Sequence, residues 1–262
     1  MRIDLSDRVA VVTGATGDLG RVMVRTLAEC GADVAIHYHK NQAKGEELKA
    51  EIEAMGRRAC PVQADVTDEA SVRGMERQVT ESLGHADIIV NNAVIQYAWK
   101  RALDQATEDY ESQFRACVLH NLFMVKAFTP AMVEKGWGRV IGINTECSLQ
   151  CWPNQSAYVS GKHGMNGLLR SLAAELGPSG ITVNQVAPGW MLSDRDRTQD
   201  EPSQEVEEQT AKYSGMLPLR HRGQDQDIAN AVAFLASDLA RFITGVFLPV
   251  HGGGAVVPVW LQ

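Results

Sequence analysis

No basic surplus marks this chain: 25 lysines and arginines face 32 aspartates and glutamates, a formal net charge of −7 over 262 residues. That balance argues against nucleic acid or an anionic membrane surface as the main partner. Uninterrupted apolar runs of about 18 residues are missing. The start, Met1-Arg-Ile-Asp-Leu-Ser-Asp, lacks the hydrophobic core of a signal peptide, so a cytoplasmic chain is expected. Cysteine is scarce and odd in number, with five residues at 30, 60, 117, 147 and 151, which is no secreted disulfide framework. The thiols read as reduced. His37 and His39 alternate on one strand and Cys147 and Cys151 stand four apart, but neither Cys-x-x-Cys nor His-Glu-x-x-His occurs, so no metal is expected. Repeats, low-complexity tracts and linkers are absent too, leaving one domain over residues 1–262.

What is present is a rhythm. Short apolar or β-branched runs at Val9–Thr13, Asp33–Tyr38, Ala59–Gln63, Asp87–Val90, Arg139–Asn144, Ile181–Val186 and Val246–Val250 alternate with longer helical patterns. Runs that are apolar throughout indicate strands buried on both faces of a parallel sheet, with helices as crossovers. The expected fold class is therefore α/β. One stretch, about 190–217, breaks the rhythm with Ser193-Asp-Arg-Asp-Arg-Thr-Gln-Asp-Glu-Pro-Ser and is expected to be an irregular substrate loop, a lid or simply a solvated segment.

After the first strand come Thr13, Gly14, Ala15, Thr16, Gly17, Asp18, Leu19 and Gly20, then Val22, Met23 and Leu27 at helical spacing. A strand, a glycine-rich turn and a helix N-terminus form a pyrophosphate cradle, because glycines admit close backbone approach and the helix dipole attracts the anion. The second strand ends at His37-Tyr38-His39-Lys40-Asn41, where an NAD-preferring site commonly carries Asp or Glu. With no carboxylate to repel a 2′-phosphate, and His39 or Lys40 able to pair with it, NADP(H) is favoured over NAD(H). Asp65-Val66 after the third strand is placed to meet adenine, and Asn91-Asn92-Ala93 after the fourth lies beside the same groove. Each also serves as ordinary turn chemistry.

Tyr158 and Lys162 stand four residues apart where an amphipathic pattern begins, so phenol and ammonium share a helix face. A nearby cation favours phenolate and brings a phenol proton within reach at neutral pH. Thr145 offers a hydroxyl at the preceding strand end. Taken alone, two long polar residues at this spacing usually mean a solvated helix face.

Together, Thr13-Gly14…Gly20, Asp65-Val66, Asn91-Asn92-Ala93, Tyr158-x-x-x-Lys162, Asn184, Pro188-Gly189 and Ile243-Thr244-Gly245 resemble the short-chain dehydrogenases/reductases across nearly the whole chain, nearest the 3-oxoacyl-carrier-protein reductase and sugar dehydrogenase branches. The resemblance implies a single-domain, doubly wound Rossmann fold with a seven-stranded sheet, an NAD(P) cofactor and a small carbonyl or alcohol substrate. It further implies a homotetramer or dimer built on long helices near 108–135 and 157–176. It makes Tyr158 the acid–base group, Lys162 its tuner and ribose ligand, and Thr145 the counterpart of the family's serine, with Ser148 a weaker substitute. It assigns Pro188, Gly189 and Met191 to the cofactor side and Trp152 and Trp190 to the substrate pocket. The family's relay asparagine falls on Cys117, with Asn121 one turn on. Asp18 and Val94 replace family glycines, and His251 an acidic residue. These departures keep open a dinucleotide-binding protein with weak or no catalysis, a sensor or assembly subunit.

Overall fold

The apolar runs are the strands. In the computed structural model, which describes residues 3–191 and 204–255, seven parallel strands form one sheet in the order β3-β2-β1-β4-β5-β6-β7. They are β1 Val9–Val12, β2 Asp33–Tyr38, β3 Ala59–Gln63, β4 Ile88–Asn91, β5 Gly138–Ile143, β6 Ile181–Pro188 and β7 Phe247–Val250. Observed and expected ends agree within two residues. β6 runs on through Ala187 and Pro188, which align with Pro249 and Val250 of the edge strand. A proline is tolerated there because it closes the strand.

Helices cover both faces. The glycine-rich turn leads into α1 (Asp18–Glu29), which joins the helix Asp225–Ala236 on one face through Met23, Leu27, Ile228, Val232 and Leu235. On the other face α3 (Glu69–Leu83), α5 (His120–Lys135) and α6 (Ser156–Leu176) pack Met75, Val79, Phe128, Met132, Met165, Leu169 and Leu172. Each fully buried aliphatic side chain contributes about 2 kcal/mol. The apolar stripe read along the 157–176 helix is thus core. α2 (Gln42–Ala54) follows β2, and α4 (Thr107–Phe114) runs through a π-helical turn at Arg115–Leu119 straight into α5. By length and composition this 107–135 helix could cross a bilayer, but more than half of its most apolar window is buried inside the fold.

One expectation is corrected. Half of the 190–217 segment is helical, at Gln204–Met216. Its Gln, Glu, Ala and Lys residues are good helix formers, and Tyr213 and Leu217, four apart, bury an apolar edge that a count of hydrophobic residues understates. Residues 192–203 lie outside the described residues.

The strand order reverses between β1 and β4. A crevice opens there beyond the carboxyl ends of the strands, where open α/β sheets place their ligands.

Candidate active site

Thr13, fully buried after β1, fixes the floor of the crevice. Its Oγ1 donates to the Val90 carbonyl (3.3 Å) and accepts from the N–H groups of Asn92 (2.8 Å) and Ala93 (3.1 Å). Asn92 returns the favour, donating from Nδ2 to the carbonyls of Thr13 (3.0 Å) and Gly14 (3.3 Å). Gly14 sits at φ +62°, and a Cβ there would lie 3.0 Å from Ala93 Cα, so only glycine fits. The turn delivers the N-terminus of α1, which has no side-chain cap. That uncapped end and the close-packed glycines fit a pyrophosphate.

A groove of about 780 Å³ runs from this turn across the sheet. Gly14, Thr16, Gly17, Asp18, Leu19, His39, Asp65, Val66, Asn92, Ala93, Pro188, Gly189 and Met191 line it, together with Thr145, Tyr158 and Lys162. Asp18 approaches Arg21 at 3.9 Å, which offsets its charge near the phosphate cradle. Asp65 is held below the usual carboxylate range: burial pushes it up, but hydrogen bonds from the N–H (2.8 Å) and hydroxyl (2.7 Å) of Thr67 outweigh that. The residues of the β2 end that line the groove are His39, Lys40 and Asn41, with Asp65 of the β3 end close enough to His39 to feel its charge.

Three expected site residues face elsewhere. Tyr38 alternates away from His37 and His39 and packs its ring beside Gly45. Asn91 turns into the core and donates to Asn121 Oδ1 at 2.8 Å. Cys117, 3% exposed within the π-helical turn, packs in the core, and burial raises its thiol pKa. Its carbonyl accepts from Asn121 Nδ2 at 2.7 Å, so Asn121 bridges Asn91 and Cys117.

At the reacting end, β5 stops at Ile143 and Asn144 locks the following turn. Asn144 Oδ1 accepts from the Thr145 N–H (2.9 Å) and the Ser148 hydroxyl (2.8 Å), while its Nδ2 donates to the Lys162 carbonyl (3.2 Å). Ser148 is thereby turned inward, leaving Thr145 as the hydroxyl in the groove. Thr145 and Tyr158 line the same end of the groove. The Tyr158 N–H donates to Tyr97 Oη at 2.9 Å and its ring stacks on Trp99, centroids 6.5 Å apart. Lys162 Nζ donates to the Ile143 carbonyl at 2.6 Å and stands 5.6 Å from the Tyr158 ring centroid.

The electrostatics correct one expectation. Burial pushes the Tyr158 phenol above its ordinary range and the Lys162 ammonium below its own. Desolvation outweighs the cation, because the ammonium is engaged by a carbonyl and is not in contact with the phenol oxygen.

A second cavity of about 470 Å³ adjoins the groove and shares Thr145, Tyr158, Gly189 and Met191 with it. Trp152 and Trp190 line it. Sequence reasoning missed Tyr97, Trp99, Glu146, Gln155 and Tyr213 in its wall, and His37 in the groove. Glu146 carried a signal in its place directly after Thr145; Tyr213 carried none, since its segment reads as solvated. Among the described residues, no three His, Cys, Asp or Glu side chains gather as a metal-binding group.

A family model described as enoyl-(acyl carrier protein) reductase matches residues 14–254. The 3-oxoacyl-[acyl-carrier-protein] reductase FabG of Staphylococcus aureus is 38% identical, covering 93% of this chain and 96% of its own. The chain belongs to the short-chain dehydrogenase/reductase family. It is 33% identical to the L-rhamnose 1-dehydrogenase (NAD(P)(+)) of a Sphingomonas species, covering 95% of this chain and 96% of that one. A blue fluorescent protein from a metagenomic library, solved in complex with NADPH, superimposes on this dehydrogenase/reductase with a TM-score of 0.85 and 35% identity, covering 97% and 100% of the two chains.

Proposed function

We propose that this protein is an NADP(H)-dependent carbonyl reductase or alcohol dehydrogenase of the 3-oxoacyl reductase type, acting on a small-molecule ketone or secondary alcohol. The observation that carries the proposal is the convergence of Thr145, Tyr158 and Lys162 on one end of the groove whose other end is the glycine turn.

Gly14, Thr16, Gly17, Asp18 and Leu19 would hold the pyrophosphate, His39 and Lys40 a 2′-phosphate, and Asp65 and Val66 the adenine. Asn92, Ala93, Lys162, Pro188, Gly189 and Met191 line the end of the groove that would take the nicotinamide. When bound, the cofactor would supply or accept the hydride. Thr145 orients the substrate oxygen and Tyr158 exchanges its proton at Oη. Since burial raises the phenol, Tyr158 is protonated at neutral pH and poised as the acid of a reduction. Lys162 holds positive charge below the ring, opposing the desolvation that keeps the proton on. The chain assembles as a homotetramer or dimer through the 107–135 and 156–176 helices.

A non-catalytic dinucleotide-binding role is the rival, favoured by Cys117 at the relay position and by the capping of its carbonyl by Asn121. Fluorescence titration with NADPH and NADH, followed by ketones, sugars and β-ketoesters in the same cuvette, decides between them. Tighter NADPH binding and its oxidation are expected. Binding without consumption supports the rival, and binding of neither nucleotide overturns both.

A further inference from the structure

We infer that Trp99 and Trp152 are specificity-determining residues of the 470 Å³ cavity, and that the substrate they select is a cyclic ketone, or its alcohol, carrying a fused aromatic ring. The inference rests on the oxidoreductase reading and names the substrate class of that site.

The stretch after β4 supplies Val94, Ile95, Gln96 and Trp99 to the cavity. Val94, Ile95 and Gln96 line the cofactor groove as well, so this wall stands where groove and cavity join. Trp99 lies beside the reacting group. Its ring stacks on Tyr158 with centroids 6.5 Å apart and planes 25° from parallel, yet the residue is 54% exposed. Trp152 is 41% exposed, and its Nε1–H donates to Gln150 Oε1 at 2.7 Å, which satisfies the one polar atom of the indole and fixes the ring's direction. No aromatic ring pairs with Trp152 among the described residues. Trp190 differs, since the Tyr213 ring meets it edge-on with centroids 5.4 Å apart and the Arg222 guanidinium lies 5.6 Å from its ring centroid. Val94 and Ile95 are exposed too.

Four exposed apolar side chains lining one cavity with Thr145 and Tyr158 hold carbon surface in water that a ligand removes. Two of them offer flat π faces. An aromatic ring gains a ring–ring contact at each indole beyond the area it covers, which a saturated ring or an acyl chain of equal size does not. A fused ring also enters with no rotamers to freeze, whereas an acyl chain loses freedom at each bond. A space of about 470 Å³ takes a molecule of two or three fused rings. Packing of the fold accounts for neither indole, because each leaves a large share of its surface in water.

The experiment uses the full chain with NADPH. Oxidation of NADPH is followed with 2-tetralone, with trans-2-decalone, which is the same bicyclic ketone with its aromatic ring saturated, and with the N-acetylcysteamine thioester of 3-oxodecanoic acid. The arene of 2-tetralone is not conjugated with the carbonyl, so the two cyclic ketones differ chiefly in the far ring. Two ring–ring contacts should favour 2-tetralone over trans-2-decalone by about tenfold in kcat/KM, and 2-tetralone should also outrun the thioester. Calorimetric titration of the NADPH complex with 2-tetralol and 2-decalol, which cannot react with the reduced cofactor, should give the same ratio in Kd. Trp99→Leu combined with Trp152→Leu, which keeps apolar bulk, should bring both ratios to within about twofold of unity. Trp99→Phe combined with Trp152→Phe should keep most of the preference. Sedimentation velocity should show the same assembly in the leucine variant as in the parent. Equal use of the two cyclic ketones, unchanged ratios in the leucine variant, faster use of the thioester, or an altered assembly overturns the inference. Preference for 2-tetralol without NADPH consumption by any ketone instead overturns the oxidoreductase reading and leaves the assignment of the two indoles standing.

Discussion

The backbone N–H of Gly14 donates to Nδ1 of His37 at 2.9 Å, and Nε2 of the same ring reaches the Ala64 carbonyl at 3.0 Å. One imidazole thus fixes the glycine turn to the end of β3, and only the neutral Nε2–H tautomer makes both bonds. Burial lowers the His37 pKa to about 4. His120, fully buried, is lowered to about 3 for the same reason.

The sign of the pH dependence follows. Above about pH 6.5 both rings are neutral folded or unfolded, and neither contributes. Below it the unfolded chain takes up protons that the fold refuses, so stability falls with pH until each folded pKa is reached. His37 alone accounts for about 3 kcal/mol between pH 6.5 and 4. Urea unfolding at pH 7.5, 6 and 5 should show that loss. His37→Asn, which keeps an acceptor for Gly14, should remove about one proton from the slope.

Tyr158→Phe keeps the ring that stacks on Trp99 and removes only the hydroxyl. Turnover should fall by at least about 10³-fold with NADPH affinity changed less than about threefold. Steady-state kinetics beside a fluorescence titration separates the two, and full activity in the variant would end the acid–base assignment.

How much of this was legible in the sequence varies by position. Strands such as Val9–Val12, and β4 up to Val90, announce themselves because both faces are buried and the residues are apolar. The cradle and the Tyr158–Lys162 pair were legible because their chemistry depends on local spacing. Tyr38 and Asn91 were misplaced because a motif gives position and not direction: strand alternation sends one under Gly45, and Asn121 draws the other into the core. Glu146 with Tyr213 escaped because 67 residues separate them.

Cys117 and Asn121 invite a paired test. Asn121 spends its amide on the Cys117 carbonyl and on Asn91, a buried chain independent of the Cys117 side chain. Cys117→Asn should therefore leave kcat within about threefold while crowding Gly161, whose added Cβ would lie 3.2 Å from Cys117 Sγ. Asn121→Ala should cost about 2 kcal/mol of stability by orphaning both partners. A tenfold rate gain in Cys117→Asn would instead identify an enzyme handicapped at its relay.

Lys40 is exposed at the mouth of the groove, so its attraction for a 2′-phosphate is screened. Lys40→Ala should reduce the NADPH-over-NADH affinity ratio by about fivefold, and more at low salt. His39→Asp should go further and favour NADH, since it restores a carboxylate at the β2 end. Parallel titrations at two ionic strengths measure both effects.

Gly20 gives the sharpest test of the cradle, because its constraint is space and not backbone angle. A Cβ there would lie 2.1 Å from the Gly14 carbonyl oxygen and 2.8 Å from Ala15 Cα, both main-chain atoms that cannot swing aside. Gly20→Ala must therefore push the turn off α1, at a cost of at least about 2 kcal/mol, and spread the N–H groups that would face a pyrophosphate. NADPH affinity should fall by about 100-fold. Gly74, within α3, is the control: an added Cβ there meets only the end of Arg77 at 3.9 Å. Gly74→Ala should stabilise the fold by about 0.5–1 kcal/mol through helix propensity and leave affinity alone. Similar behaviour of the two variants in thermal melts and NADPH titrations would show that close packing of Gly20 on Gly14 does not shape the cofactor site.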